Sequence, residues 1–484
     1  PRHGRAVVEH AIEEVAARPD LAMRARAVLA QPFVGATPVA EHLRWLREVE
    51  AFIASCGDDR VRYALLANQL GSRMSTGDHT VMAELDRLPD TAADVAVRRH
   101  LARAHCNLAD AFALVGHFDL ARDFLDRGLR LTVGAGVPFT EGTGQSTRIH
   151  LDWYRGDWGT LADRAVRLLE EYREMLPVAG EINLVLGCLA VTRGEWDAAE
   201  RHLADSGVRS VENSITPIAL GGFAASTRLW SERGDLERAC AEADRGLDLA
   251  RRKGVWAWLG ELAPAAVDAF RAAGRVEDAV ELVEEFDAGL VGRDAPLAHV
   301  ALKMCRAFLA QQDAVPLLRE ARRVADDLGL RYYSAVLSER IARAALERGD
   351  DAAAAELVEV ARAAGVVAFL EGLWLAASSL GLLAAADPHG RARHQHEGGH
   401  QLRVGVDRGP GEERDVDEAV AGLVVQGGVE DGPIARHPAR QRWSFSRVES
   451  VVPPATAVVA GRAHGVATPS CRRTLPLVGR GAHC

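Results

Sequence analysis

Lysine is almost missing from this chain. Among the 58 basic residues of its 484-residue sequence, only Lys253 and Lys303 are lysines. A P-loop needs a lysine directly after the last glycine of its phosphate-binding turn and directly before a serine or threonine. Neither lysine stands in that context. The absence therefore excludes a P-loop nucleotide site, and no cofactor is expected in this chain.

Other common catalytic patterns are also missing. The sequence contains no H-E-x-x-H, no G-x-S-x-G and no paired-cysteine zinc spacing, and its seven cysteines form no C-x-x-C pair. We therefore expect a protein that is not an enzyme and has no metal site. We also expect its cysteine thiols to be buried and reduced, as in a cytoplasmic protein. The one histidine cluster falls in a segment with no predicted scaffold to hold a metal. Its members are His389, His394, His396 and His400.

The chain also lacks a positive surplus and an uninterrupted apolar run. Its formal net charge of −10 argues against a general nucleic-acid surface. The one apolar stretch of membrane length, residues 365–386, is interrupted by Glu371, Ser378 and Ser379. We interpret that stretch as a buried helix, so no membrane partner is predicted.

What the sequence does contain is a repeated glycine turn between helical runs. The turn glycines follow one another at intervals of 37 to 40 residues when a degenerate copy, Gln312-Asp313, is counted. A fixed period of this size is typical of a helical solenoid. Glycine suits the left-handed position that ends a helix, and an acidic residue after it, such as Asp235, can cap the next helix. The turn glycines are Gly77, Gly116, Gly156, Gly194, Gly234, Gly274 and Gly349.

The residues around each turn resemble the tetratricopeptide (TPR) repeat. An apolar residue such as Phe118 follows the glycine by two positions, and a small residue such as Ala121 follows it by five. The resemblance covers about residues 70–385, with a period longer than the usual 34 residues. It implies an all-α fold, a TPR-like α-α superhelical solenoid of about eight helix pairs with a period near 40. An unrelated α-solenoid with the same helix-pair logic is the alternative.

Composition divides the chain into three predicted regions. Residues 1–75 are predicted to form irregular helical pairs, and residues 76–386 the regular solenoid. A glycine-rich stretch, residues 134–144, is interpreted as a connection between two pairs, because no strand or lysine supports a phosphate site there. Residues 387–484 are rich in glycine, proline, arginine and histidine and are predicted not to fold independently. That tail is either disordered or an out-of-frame translation.

A solenoid offers a concave groove lined mainly by the first helix of each pair. Phasing on the turn glycines places arginines, acidic residues and a few aromatics along it. Such a lining would suit an anionic small molecule, or an acidic or extended peptide. Trp256 and Trp258 are interpreted as packing residues between neighbouring pairs. The groove candidates are Arg103, Asp110, His150, Trp153, Arg228, Glu261, Asp268, Arg271, Glu339 and Arg343.

In its alanine- and arginine-rich texture, the array resembles the repeat region of large ATP-binding LuxR-type transcriptional regulators, which are bacterial signal-transducing ATPases. The resemblance implies a cytoplasmic, non-catalytic region that binds a small-molecule inducer or protein partner and controls self-association. ATP is expected only if an ATPase module precedes Pro1. The sequence does not begin with Met, and we expect it to continue upstream of Pro1. DNA would be reached only through a module missing here. The alternatives are a stand-alone TPR-like scaffold and the sensor region of a cyclase- or kinase-type signalling ATPase.

Overall fold

A computed structural model describes residues 8–10, 12–15, 17–208, 211–310 and 314–347. Within these residues every regular element is helical, apart from one isolated β-bridge between Val34 and Ile215. The predicted all-α solenoid is thus confirmed for this part of the chain. The turn at Gly349, the degenerate copy Gln312-Asp313, the apolar stretch 365–386 and the tail with its histidines lie outside the described residues.

The first two α-helices that we number precede the regular pairs, and the α-helices that follow have 8 to 21 residues. A 3₁₀ helix, His79–Arg87, takes the place of the second helix after α3. Across the described ranges, no helix has both the length and the apolarity that crossing a membrane requires. The bounds are α1 Pro19–Leu29, α2 Val39–Ser55, α3 Asp59–Ser75, α4 Val95–Val115, α5 Phe118–Thr132, α6 Pro138–Arg155, α7 Leu161–Tyr172, α8 Leu176–Thr192, α9 Trp196–Leu203, α10 Thr216–Glu232, α11 Leu236–Lys253, α12 Leu262–Ala272, α13 Val276–Leu290, α14 Pro296–Leu309, α15 Ala314–Asp327 and α16 Arg331–Glu347.

The six turn glycines that the structure describes, from Gly77 to Gly274, all have positive φ. Each of these helix pairs is therefore joined as the repeat pattern predicts. The acidic caps are less regular. Asp235 accepts a hydrogen bond from the backbone N–H of Arg238, whereas Glu195 makes no such side-chain bond and Asp157 precedes a helix that begins only at Leu161.

The interpretation of residues 134–144 as a connection is wrong for their second half. Helix α6 begins at Pro138, so Gly142 and Gly144 lie inside it. A Cβ atom at Gly142 would lie 2.9 Å from the ring of Tyr172, and one at Gly144 would lie 2.8 Å from Leu129. These glycines therefore allow neighbouring helices to approach closely, and the usual cost of glycine inside a helix is offset by that packing.

The first helices of successive pairs lie side by side along the inner face, in the order α3, α4, α6, α8, α10, α12 and α14. The superhelix then returns onto its own beginning, because α14 packs against α4 and α16 packs against α6. The backbone N–H of Asp294 donates to the carbonyl oxygen of Gly77 at 2.9 Å, and the Tyr332 ring lies 4.9 Å from that of Trp153. Residues roughly 180 to 220 positions apart thereby hold one superhelical turn against the next.

Candidate functional site

The inner face encloses a cavity of about 340 Å³, which we call the central cavity. Its wall combines the first helices α3, α4, α6, α8 and α10 with the loop before α12, the start of α14 and residues 31–34. This volume lies in the range of small-molecule sites, which are mostly apolar with a few placed polar groups. Much of the wall is apolar, and its larger apolar residues are Phe33, Leu114, Phe139, Tyr154, Val178, Leu184, Ile215, Ile218, Trp258 and Leu297.

Four titratable side chains on the cavity wall form what we call the polar belt: Asp110, His150, Glu181 and Glu261. Glu181 is held on both of its oxygens. Ser146 Oγ donates to Glu181 Oε2 at 2.5 Å, and His150 Nδ1 lies 3.0 Å from Glu181 Oε1. Ser146 and His150 are four residues apart on α6, so they face α8 together.

The two ionisable groups beside Glu181 are shifted in pKa by its charge. Burial together with the neighbouring Glu181 carboxylate raises the pKa of Asp110 to about 7. Burial opposes the charged form of His150. Its hydrogen bond to Glu181, with the charges of Glu261 and Asp110, outweighs that effect and raises the pKa of the imidazole. Perturbed groups that gather in a cavity are typical of functional sites.

Glu261 is the member of the belt with a carboxylate oxygen that lacks a hydrogen-bond partner. It directly precedes α12, is only 6% exposed, and its Oε1 is buried with no hydrogen-bond partner in the chain. The Arg228 guanidinium group interacts electrostatically with Glu261, but its Nη2 donates to the backbone oxygen of Glu261 at 3.2 Å. The guanidinium group of Arg228 also lies over the Tyr332 ring. Glu261 therefore lines the cavity with a carboxylate that has unused acceptor capacity.

The cavity wall has the opposite charge from the groove that the sequence led us to expect. No arginine or lysine stands among its described lining residues, whereas three carboxylates do. The arginine-lined site for an anionic ligand is therefore not what the described part of the chain presents at this cavity. The described His, Cys, Asp and Glu side chains also include no group of three or more arranged to hold a metal ion.

The structure brings three of the ten groove candidates together in the polar belt: Asp110, His150 and Glu261. The other seven are not in the lining. Arg103 donates to the backbone oxygen of Ala64 at 2.8 Å, so it joins α4 to α3 instead. The Trp153 ring stacks on the Trp158 ring at 4.8 Å, in the contact between superhelical turns.

The remaining candidates have structural or surface positions. Arg228 lies behind Glu261, as described above, and Asp268 forms an ion pair with Arg340 at 2.5 Å. Arg271 is exposed, and Glu339 is half-buried on α16. Arg343 lies on the same helix, and its side chain is outside the described residues.

Phasing on the turn glycines missed Glu181, Phe33 and Trp258. Glu181 is the only charged residue of α8, and this lone carboxylate in an apolar helix was the signal available in the sequence. Trp258 was interpreted as packing between neighbouring pairs. Its Nε1 instead donates to the backbone oxygen of Ser75 at 2.7 Å, a contact between superhelical turns at the cavity wall. Nothing local in the sequence indicates such a contact.

Residues 31–38, which we call the strap, close one side of the cavity. Thr216 donates through its backbone N–H to the Phe33 oxygen at 2.6 Å and through Oγ1 to the Gly35 oxygen at 2.8 Å. The buried Lys253 donates through Nζ to the same Gly35 oxygen at 3.0 Å. The Phe33 ring stacks on Trp258. The strap therefore spans from the N-terminal helices to α10 and α11.

We expect Lys253→Met to loosen the strap. The variant removes a charged donor from the Gly35 oxygen while keeping most of the side-chain volume, and a hydrogen bond from a charged group contributes about 1.5–3 kcal/mol. Hydrogen exchange of the Gly35 N–H, which donates to the Ser214 oxygen at 3.1 Å, should become about tenfold faster or more. The control is Lys303→Met, because Lys303 is 37% exposed in a surface ion pair with Glu320. Equal exchange in the two variants would contradict the role given to Lys253.

Comparison with known proteins gives a structural match and no family. No protein-family model matches the chain, and no curated protein matches its sequence. Among solved structures, the chain is similar to a Rap protein complexed with competence and sporulation factor, with a TM-score of 0.53 and 10% sequence identity. The match covers 75% of this chain and 98% of that one. At this identity the similarity concerns the fold, and the chain has the fold of a TPR-like helical repeat.

Proposed function

We propose that this chain is a non-catalytic sensor and interaction region in which a ligand in the central cavity holds the superhelix closed. The observation that carries the proposal is the composition of the cavity wall. It joins the strap, five consecutive first helices and the start of α14, which come from distant parts of the sequence. A ligand that contacts all of them favours the closed arrangement over a more open one by its difference in affinity for the two.

The wider setting that we propose is a LuxR-type regulator, in which the repeat region reports an inducer or a partner to modules outside this sequence. This proposal is supported by the alanine- and arginine-rich composition of the repeats and by the cavity at the place where the superhelix closes on itself. A solved protein of similar fold is complexed with competence and sporulation factor, which is compatible with a binding role for such a repeat. The coding DNA provides a test, since this setting requires a helix-turn-helix in a reading frame that follows the repeats.

The binding part of the proposal predicts that the cavity takes an apolar probe. We expect the neutral dye N-phenyl-1-naphthylamine to become fluorescent with the full chain, because the wall is largely aromatic and aliphatic. Ala113→Trp should abolish the signal by filling the cavity, since Ala113 is buried on its wall. The control Val133→Trp adds the same side chain at a position that is 77% exposed.

The same experiment also tests whether a bound ligand stabilises the closed superhelix. Bound dye should slow hydrogen exchange of the Thr216 and Asp294 N–H groups, which donate to Phe33 and Gly77 across the superhelical closure. Circular dichroism of Ala113→Trp establishes that the variant is folded. Dye binding that Ala113→Trp leaves intact, or that leaves both amides unprotected, contradicts the sensor proposal.

A further inference from the structure

We infer that the ligand of the central cavity is an organic cation, an ammonium or guanidinium group joined to an apolar body. This inference rests on the proposed function, because it names the chemical class that the same cavity takes. Three carboxylates and no arginine or lysine stand among the described lining residues. The cationic group would lie against the polar belt and the apolar body against the aromatic part of the wall.

The unpartnered carboxylate of Glu261 gives the first argument. A buried carboxylate is strongly destabilising unless a donor or a cation compensates it. Glu261 is more than nine-tenths buried and lines the cavity, and its Oε1 has no hydrogen-bond partner in the chain. Arg228, behind it, donates to the backbone oxygen and leaves that acceptor unused. A cation in the cavity would compensate the charge of this carboxylate.

The other two carboxylates of the polar belt also support a cationic ligand. Both oxygens of Glu181 are engaged by Ser146 and His150, so Glu181 contributes charge and not an open acceptor. Asp110 has one described hydrogen bond, from Thr147 Oγ1 at 3.5 Å, which is too long to be strong. Asp110 and Glu261 are therefore the two carboxylates with capacity for a donor from the ligand, and a cation supplies both donors and charge.

Aromatic side chains on the cavity wall fit the remainder of such a ligand. The His150 ring stacks on the Tyr154 ring at 4.9 Å, and Phe33 stacks on Trp258 at 6.2 Å. All four residues line the cavity. Aromatic faces attract cations as well as apolar groups, so this wall discriminates against an anion of the same shape.

The inference also predicts that the affinity for the ligand depends on pH. A bound cation favours ionised Asp110 and disfavours protonated His150, so both groups release protons on binding. The pKa of Asp110 is about 7 in the absence of ligand, and affinity should rise about tenfold from pH 6 to pH 8 through this group alone. His150 shifts the affinity in the same direction. The charged and titratable groups outside the belt that interact with its members are Cys106, Tyr154, Cys188, Arg228, Tyr332 and Tyr333.

Calorimetry with three probes of one carbon skeleton tests the inference on the full chain. We expect 2-phenylethylamine to bind at least about tenfold more tightly than neutral 2-phenylethanol, and anionic phenylacetate to bind most weakly. Glu261→Gln should remove most of the preference for the amine and leave the affinity for the alcohol unchanged. Glu237→Gln is the control, because Glu237 is exposed on α11.

A second pair of probes separates the two sources of such a cation. N-acetyl-Phe-Arg amide and N-acetyl-Phe-citrulline amide differ only in the side-chain charge, so tighter binding of the arginine form assigns the cation to a peptide. Preference for 2-phenylethylamine alone assigns it to a small molecule. Equal affinity for amine and alcohol, or tighter binding of phenylacetate, overturns the cation inference while dye binding keeps the sensor proposal intact. If neither the dye nor any of the probes binds, both proposals are overturned.

Discussion

Gly116→Ala should lower the free energy of unfolding by about 3 kcal/mol or more, whereas Gly274→Ala should cost only about 1 kcal/mol. Both glycines end a first helix in the left-handed region, with φ of 104° at Gly116 and 81° at Gly274. Alanine is strained at both sites, and more strongly at Gly116, where φ lies further from the left-handed minimum near 57°. They differ in what surrounds them, because a Cβ at Gly116 would lie 2.5 Å from the backbone nitrogen of Leu297, and a Cβ at Gly274 would meet nothing within 4 Å.

Most of the difference between the two variants comes from the packing of one superhelical turn on the next. A backbone atom cannot turn aside as a side chain can, so α14 must move away from α4 to accept the methyl group. Urea unfolding of both variants gives the two free energies, and hydrogen exchange of the Asp294 N–H reports the opening at the neighbouring contact with Gly77. Equal losses of stability in the two variants would mean that the turns do not press together at Gly116.

Gly116 also shows which features of the structure can be predicted from the sequence. Its place in a series of glycines about 40 residues apart predicts the end of a helix, because that requirement is local. Its contact with Leu297 depends on the winding of the nine intervening α-helices, α5 to α13, and no pattern around either residue encodes it. The fold was therefore predictable from the sequence, but the closure that creates the central cavity was not.

The residues of the candidate site were likewise only partly predictable from the sequence. Asp110, His150 and Glu261 were reached by counting from turn glycines, since that count selects the inner face of first helices. The same count selected Arg271 and Asp268, which lie on α12 away from the cavity wall. The count assumes a groove of constant depth, whereas the superhelix returns onto itself and only one portion of its inner face borders the cavity. The acidic sign of that portion comes from Asp110 and Glu261, which the count selected, together with Glu181, which it omitted.

The closure also explains how a binding event could be reported at a distance. The cavity wall and the contacts between superhelical turns share Trp258 and Leu297, so the same residues contact a ligand and hold the turns together. A ligand in the cavity then adds to the stability of contacts that exist without it. A belt of carboxylates that repel one another before a cation binds fits this arrangement, because strain at a functional site lowers the stability of the empty state.

Asp110→Asn should therefore stabilise the chain at high pH and lose that advantage in acid. The pKa of Asp110 is about 7 in the folded chain, raised by burial and by Glu181 from an ordinary value of 3.8. Below pH 4 the carboxyl group is protonated in both folded and unfolded chains. Between pH 4 and pH 7 the folded chain holds a proton that the unfolded chain has released, so stability falls as the pH rises, and the full loss is reached above pH 7.

The size of the effect follows from the same shift. About 1.4 kcal/mol per pKa unit gives about 4 kcal/mol, which we reduce to about 2 kcal/mol because Asp110 is only half-buried and water in the cavity screens its charge. Urea unfolding of Asp110→Asn and the parent chain at pH 4 and pH 8 measures the difference, and Asp119→Asn, which removes an 88% exposed carboxylate, is the control. An advantage of Asp110→Asn that is the same at both pH values would show that the cavity does not hold this carboxyl group protonated. The amide would also lack the charge that a cation requires, so the stabilised variant should bind 2-phenylethylamine more weakly than the parent chain does.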